Sequence, residues 1–419
     1  MELLVEGINH RVAPLEVRER VYVSGEALRH WLRRLAERPA VAGGAILSTC
    51  NRTEFYVTAP AAPAAGADLA EVIGTMDQRN EWERYRYRLG GGDALAHMFR
   101  VASGMESAII GEAQVLGQFK AALGEARQAG SVDGTLDFVM RRAITAAKRV
   151  RTETAIGRNP VGFGHAAAEQ ARAVLGSLEG RAALLVGAGK MAGSTARVLA
   201  SRGVTRLYFS TRTPARAVEL AEEMPAGVVA LTVPYSRFDE VTAEVDLIVC
   251  STSSPDHVFN RDVVRRLTRG RRRPLFLLDL AVPRDVDPAV GDLPGVHLFN
   301  IDDLGRAIES GLGGRISELP RAETIVADEV RRAQMELARR GSGGAVAGLV
   351  AEVERLRREQ LAELARTLDP VQLAEVDRAT QALAGRLLHG PITRIHESEE
   401  GVSAVEVVRE LFGQDPGPG

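Results

Sequence analysis

The sequence predicts a chain of mixed class, α/β with α+β and all-α parts, and three observations carry that prediction. Two short apolar runs flank a polar turn near the N-terminus. Further short apolar runs alternate with helical segments from Gly180 to Asp303. Beyond Asp303 such runs stop and only helical periodicities remain.

In chain order, residues 3–8 (LLVEGI) read as a strand, and Ser24 is placed to cap a helix from Gly25 to about Glu37. Residues 45–48 (AILS) and 54–58 (EFYVT) read as strands on either side of Thr49-Cys50-Asn51-Arg52. A small α+β domain follows from that order. The tract Ala59–Gly66, rich in Ala and Pro, reads as a surface loop or linker. Residues 93–129 and 133–152 carry helical patterning; in the second, Leu136, Val139, Met140, Ala143, Ile144, Ala147 and Val150 recur at spacings of three and four. The Gly- and Pro-rich stretch 157–164 is a natural boundary. Strands are then expected at Ala183–Val186, Leu207–Ser210, Val228–Leu231, Leu247–Cys250, Leu275–Leu278 and Val296–Phe299, spaced as βα units of a parallel sheet. Residues 315–340 read as one long charged helix, ended by Gly341-Ser342-Gly343-Gly344. Helices marked by Leu349, Val353, Leu356 and Leu364, by Val376, Ala379, Leu383 and Leu387, and by Val405, Val408 and Leu411 follow. The expected division is 1–156, a Rossmann-type domain 157–303, a connecting helix with a helical domain 304–412, and a disordered tail 413–419. The narrow apolar stripes of the helical part need a cover, either the same chain or a second copy; the extended charged helix favours a homodimer.

Length and composition set outer bounds. A chain of 419 residues suits two or three domains. Its formal net charge of -2 gives no global field to attract nucleic acid, so DNA is not an expected partner. An RNA partner would need local patches, such as Arg141, Arg142, Lys148, Arg149 and Arg151, or the run Arg265, Arg266, Arg269, Arg271, Arg272 and Arg273; a solvated surface explains either equally well. Two cysteines exclude a disulfide framework and an all-cysteine metal cluster and fit a reducing compartment. Met1–Glu6 lacks the pattern of a signal peptide, and no run of 18 apolar residues occurs, so a cytoplasmic protein without a membrane span is expected.

The segment Leu184-Leu185-Val186-Gly187-Ala188-Gly189-Lys190-Met191-Ala192-Gly193 is a strand running into Gly-x-Gly-x-x-Ala. Gly187 permits the tight turn, Gly189 lets the backbone approach a pyrophosphate, and Ala192 or Gly193 allows close packing behind it. An NAD enzyme would carry Asp or Glu after the second strand; here Ser210, Thr211 and Arg212 stand there, which suits a 2′-phosphate and therefore NADPH. Arg216, one turn later, either helps or is simply surface.

Cys50 lies among Ser48, Thr49, Asn51, Arg52 and Glu54, whereas Cys250 closes an apolar strand and is assigned to packing. A thiol acts as a nucleophile only as thiolate, and Arg52 with nearby N–H groups is expected to raise that fraction. A nucleotide domain joined to a nucleophilic thiol points to chemistry through a thioester. No Gly-x-x-x-x-Gly-Lys-[Ser/Thr] loop is present, so the acyl group is expected to arrive already activated.

Several segments resemble the glutamyl-tRNA reductase family. They are Gly7–Pro14, Ser48–Glu54, His97–Gly104, Gly111–Gln118, Gly187–Ala192, Asp279–Arg284, Asn300–Leu304 and Leu387–His389, which span most of the chain in order. The resemblance implies an N-terminal catalytic domain, a Rossmann-type NADPH domain, a long connecting helix and a C-terminal dimerisation domain. It implies that Cys50 attacks the ester of glutamyl-tRNA, that tRNA leaves, and that NADPH reduces the thioester to glutamate-1-semialdehyde for tetrapyrrole synthesis, with no metal. Thr49, Cys50, Asn51, Arg52, Ser107, Glu112, Ala113, Gln114 and Gln118 match substrate positions, with Arg52 suited to the substrate carboxylate. His97 matches a histidine important for activity. Gly187, Ala188, Gly189, Lys190, Met191, Ala192, Ser210, Thr211 and Arg212 match the cofactor site. Glutamate-1-semialdehyde aminomutase is an implied partner. The chain departs from the usual pattern at Ala113 (Pro), Glu106 (Asp), Thr211 (Asn) and in Val161–His165 (a Ser-rich stretch). Rival expectations are a paralogue with the same chemistry, an NADP-dependent dehydrogenase of a small free substrate, and a non-catalytic regulator.

Overall fold

In the computed structural model, the described residues are 1–77, 79, 81–156, 162–309 and 318–397. The chain forms two compact units, one spanning Glu2–Ala327 and one beginning at Asp328.

The first unit holds two sheets. Strands β1 (Glu2–Asn9), β2 (Gly43–Ser48), β3 (Arg52–Ala59) and β4 (Tyr87–Gly90) form an antiparallel sheet in the order β2-β3-β1-β4. The register ends with Ser48 opposite Thr53 and Asn9 opposite Arg52, so Thr49-Cys50-Asn51 is the hairpin loop. Helices Gly91–Ala102, Ala113–Gln128 and Gly134–Glu153 bury an apolar face in the same region. The last is capped by Asp133, whose carboxylate accepts the N–H groups of Thr135 and Leu136. Ser24 occupies the N-cap of helix Gly25–Ala36 but makes no side-chain cap bond.

Two expectations fail here. Ala62–Gly66 is not a loop, because helix Ala62–Met76 begins inside that tract. Alanine is the strongest helix former, and Pro63 falls in the first turn, where its missing N–H costs nothing. Residues 93–129 are not continuous helix. Gly104 and Gly111 take φ of +74° and +78°, and the chain between the two helices folds as turns. A Cβ at Gly111 would lie 2.2 Å from the Ile156 carbonyl oxygen, so only glycine fits.

The second sheet is wholly parallel, with order β10-β9-β8-β5-β6-β7. Its strands are β5 (Ala182–Val186), β6 (Arg206–Ser210), β7 (Val229–Thr232), β8 (Leu247–Cys250), β9 (Leu275–Asp279) and β10 (Val296–Asn300), and all six lie where the apolar runs place them. Alternate residues of β5 enter different cores: Ala183 and Leu185 on one face, Leu184 and Val186 on the other. Because β6 and β8 flank β5 on opposite sides, the strand order reverses at the carboxyl end of β5, where Rossmann-type sheets open a ligand crevice.

Helix Leu319–Leu364 runs through Gly341–Gly344 without interruption, so the expected break is absent. Each Gly costs about 1 kcal/mol in a helix interior, and the flanking Ala, Leu, Glu and Arg offset that. Helix Pro370–Glu397 follows. Within the second unit Arg357 pairs with Asp377 across the two helices, while Leu356, Leu364, Val371, Leu383 and Leu387 stay exposed. The expected helix over Val405–Leu411 and the tail 413–419 lie outside the described residues, as do 157–161 of the expected boundary. No helix among the described residues is long and apolar enough to cross a membrane.

Candidate active site

The hairpin loop is held by its own residues. The Thr49 N–H donates to the Arg52 carbonyl at 2.8 Å, and Thr49 Oγ1 accepts the N–H groups of Asn51 and Arg52, each at 3.2 Å. The His10 N–H donates to the Asn51 carbonyl at 2.9 Å. Cys50 at the tip is half-buried and packs against the apolar core on one face of the parallel sheet.

A narrow pocket surrounds the thiol. It is lined by Thr49, Cys50, Asn51 and Arg52 from the loop, by Ser107, Glu112, Gln114 and Gln118, and by Met191 from the first turn of helix Lys190–Ser201. Eight of the nine residues matched to substrate positions thus converge on one cavity. The ninth, Ala113, opens helix Ala113–Gln128 beside them. The Ser107 hydroxyl is buried in this wall with no hydrogen-bond partner among the described residues.

Arg52 is almost wholly buried and held in place. Its Nη1 donates to Glu54 and its Nη2 to the Glu106 carbonyl. The Glu54 carboxylate also accepts the hydroxyls of Tyr56 and Tyr87. Burial alone would raise the Glu54 pKa, but Arg52, His97 and these hydrogen bonds hold it well below the usual carboxylate range. His97 Nε2 lies 3.1 Å from Glu54 Oε1 and its ring meets Tyr87 edge-on. His97 does not line the pocket; it meets Arg52 only through the Glu54 oxygen that both contact.

The cation nearest in effect to the thiol is not Arg52. Burial pushes the Cys50 thiol up to about 12, the Glu112 carboxylate pushes the same way, and Arg18 opposes them. Of the expected helpers, a backbone hydrogen bond does lower the thiol but Arg18 stands in the place of Arg52, and burial outweighs both, so the thiol is protonated at neutral pH. Alkylation of Cys50 by a neutral electrophile should then climb about tenfold per pH unit from pH 6 to 9 without levelling, since thiolate is scarce throughout. A plateau below pH 8, followed on the Cys50 peptide by mass spectrometry, would contradict this.

Sequence reading also missed His10. Burial, then Arg52, Arg11 and Arg18, lower its pKa to about 3, so the ring is neutral, and neither ring nitrogen has a partner among the described residues.

The glycine-rich loop fits a dinucleotide. Gly187 has φ of +105°, and a Cβ there would sit 2.2 Å from the Ser251 carbonyl oxygen. Gly189 is the N-cap of helix Lys190–Ser201, so the unpaired N–H groups of that helix face the loop. The crevice beside it is lined by Gly187, Ala188, Gly189, Thr211, Arg212 and Arg216 with Tyr235 and Ser251–Ser253, and among the described residues no carboxylate lines that wall. The Arg212 guanidinium lies 5.7 Å above the Tyr235 ring. Ser210 does not reach the crevice; it is buried, and its carbonyl accepts the Gly187 N–H at 2.8 Å. Ala192 is core, and Gly193 makes room for Leu220. Lys190 lines a neighbouring cleft with Gln114, which also borders the thiol pocket. Met191 faces the thiol rather than the nucleotide crevice.

The parallel sheet, the glycine loop at its reversal point and the adjoining thiol pocket define a Rossmann-type, NAD(P)-binding oxidoreductase. Residues 7–154 match the family model of the glutamyl-tRNAGlu reductase N-terminal domain, 169–307 that of shikimate / quinate 5-dehydrogenase, and 321–414 that of the glutamyl-tRNAGlu reductase dimerisation domain. The chain is 39% identical to the glutamyl-tRNA reductase of Myxococcus xanthus, over 99% of this chain and 94% of that one. It is 34% identical to that of Solibacter usitatus, over 98% and 99%. Among solved structures, glutamyl-tRNA reductase from Methanopyrus kandleri matches at 31% identity and a TM-score of 0.54, covering 97% of this chain and 98% of that one. The chain belongs to the glutamyl-tRNA reductase family.

Proposed function

We propose that this chain converts glutamyl-tRNA to glutamate-1-semialdehyde with NADPH, through a thioester on Cys50, as the first committed step of five-carbon tetrapyrrole synthesis. One observation carries the proposal: the walls of the Cys50 pocket come from the hairpin loop and, through Met191, from the first turn of the helix that the glycine loop opens. In this reading the Cys50 sulfur attacks the ester carbonyl, the carbon–oxygen bond to the ribose breaks, and the thiol proton ends on the departing tRNA hydroxyl. Arg52, fixed by Glu54, pairs the substrate carboxylate through its planar fork. Thr49, Ser107, Gln114 and Gln118 supply hydrogen bonds around the acyl group. His97 acts through Glu54 and not at the carbonyl. A bound nicotinamide would supply hydride to the thioester carbonyl; the carbon–sulfur bond would break, and the sulfur would take a proton from water to restore the Cys50 thiol.

Arg212 and Thr211, in a crevice wall without a carboxylate, support NADPH over NADH. The functional division is 1–156 for the substrate, 157–303 for the cofactor and 304–412 for association. A homodimer gives the exposed Leu356, Leu364, Val371, Leu383 and Leu387 a cover. Two free cysteines suit the cytoplasm. The aldehyde product, reactive when free, makes glutamate-1-semialdehyde aminomutase a fitting partner.

The test is to supply charged glutamyl-tRNA or free glutamate, each with NADPH or NADH. Aldehyde is expected only from the charged tRNA, and faster with NADPH. Arg212→Asp should cut NADPH affinity by about tenfold or more while leaving NADH nearly unchanged. NADP-linked turnover of a small free acid without tRNA would favour a small-substrate dehydrogenase instead.

A further inference from the structure

Arg18 does not line the thiol pocket, yet its side chain is only 2% exposed. It ends the short helical turn Leu15–Arg18, and its guanidinium points three ways. Nε donates to the Ala13 carbonyl at 3.2 Å, Nη1 to the Cys50 carbonyl, and Nη2 to the Asp302 carboxylate. Ala13 belongs to Arg18's own segment and Cys50 to the thiol loop. Asp302 lies in the first turn of helix Ile301–Glu309, which follows β10, the last strand of the nucleotide-binding sheet.

Asp302 is itself fixed. Asn300 Oδ1 accepts the N–H of Asp302 at 2.9 Å and that of Asp303 at 3.1 Å. A second link runs the other way. Arg284, just beyond β9, donates from Nε to Glu19 at 3.0 Å, from Nη2 to Glu19 at 2.7 Å and from Nη1 to Glu16 at 3.1 Å. Residues 16–19 thus give one arginine to the parallel-sheet side and take one from it. Leu15, Ala108 and Ile109 share a single buried cluster with Leu280, Ile301 and Leu304, so the same contact is apolar inside and ionic at these two places.

We infer that Arg18 and Asp302 are positioning residues: they couple the seating of the nucleotide-binding sheet to the thiol loop, and so send the acyl group to reduction rather than to water. This rests on the thioester reaction proposed above. One acyl-enzyme has two exits. In reduction, hydride reaches the carbonyl, the carbon–sulfur bond breaks, the sulfur takes a proton from water and aldehyde leaves. In hydrolysis, water attacks the same carbonyl, the same bond breaks, the thiol regains a proton and glutamate leaves. Acylation needs the loop and Arg52. Reduction needs, in addition, the sheet held against the loop. Asp302 is not in the pocket wall, and its charge is the least of the causes that raise the Cys50 thiol, so neutralising it loosens that hold without removing a substrate contact and without making the thiol harder to ionise.

The experiment uses full-length protein, charged glutamyl-tRNA, and NADPH raised until aldehyde no longer increases. Released tRNA, aldehyde and free glutamate are measured. Asp302→Asn is expected to release tRNA at near the unmodified rate but to lower the aldehyde-to-glutamate ratio about tenfold, the loss of one charge-assisted bond. Asp302→Glu, which keeps the charge, should recover most of the ratio. Arg284→Gln should lower it independently, and carries the same test if melting shows that Asp302→Asn is unfolded. An unchanged ratio overturns the inference. So does an equal loss of tRNA release and aldehyde, which would mean that the pair serves acylation alone. If the unmodified chain releases no tRNA, the thioester reading fails first and the coupling with it.

Discussion

Cys50→Ser is expected to abolish both tRNA release and aldehyde formation, a loss on the order of 10³-fold or more. A serine hydroxyl ionises far less readily than a thiol, and the burial that already pushes the Cys50 thiol up to about 12 would penalise an alkoxide further. Cys250 is the control. It is fully buried in β8, and burial together with Asp279 raises its thiol well above the ordinary value. Cys250→Ala removes one core atom and should cost about 1 kcal/mol of stability with little change in rate. Equal loss of activity in the two variants, with both folded, would remove the nucleophile assignment.

The second large effect separates the two chemical steps. In Gly189→Asp the new Cβ stands 3.2 Å from Ser251 Oγ at the N-cap of helix Lys190–Ser201. Its carboxylate would occupy the place of the cofactor's pyrophosphate and repel it. Aldehyde formation should fall about 100-fold or more, while tRNA release continues and the acyl group leaves as glutamate. The reductase would become an esterase. Arg52→Lys should behave differently, because a point charge cannot hold Glu54, the Glu106 carbonyl and a substrate carboxylate in one plane. Acylation itself should then fall about 100-fold. Labelled acyl-enzyme forming on the Arg52 variant at full speed, or not at all on the Gly189 variant, would mean that the steps are not divided in this way.

How much of this was legible in the sequence follows from how local each feature is. The hairpin around Cys50 and the six parallel strands were readable because short β-branched and Leu-rich runs bounded by turn residues have few alternatives. The glycine loop was readable because each glycine has a steric reason, as the 2.2 Å approach at Gly187 shows. The helices were less so. Apolar spacing continues through Met105 and Ile109, so nothing in the pattern marks the turns at 103–112; the left-handed Gly104 and Gly111 do, and both glycines had to be weighed as backbone rather than as spacers. Gly341–Gly344 misled in the opposite sense. The environment of Cys50 was the least legible. Its sequence neighbours are polar, but its burial comes from Met191 and a core built far along the chain, and its carbonyl is held by Arg18. Ser210 shows the same limit: its side chain points into the core although its neighbours Thr211 and Arg212 line the crevice. Neither Glu54 as an anchor nor Asp302 as a tie could be assigned without the partners that the fold delivers.

The measurement closest to the central claim is the mass of the Cys50 peptide after brief incubation with charged glutamyl-tRNA and no reductant, quenched in acid. A glutamyl adduct on that peptide is expected, together with free tRNA, and it should vanish with formation of aldehyde when NADPH is added. Aldehyde formed from charged tRNA and NADPH with no adduct ever detectable on Cys50, and undiminished in Cys50→Ser, would contradict a thioester route through this residue.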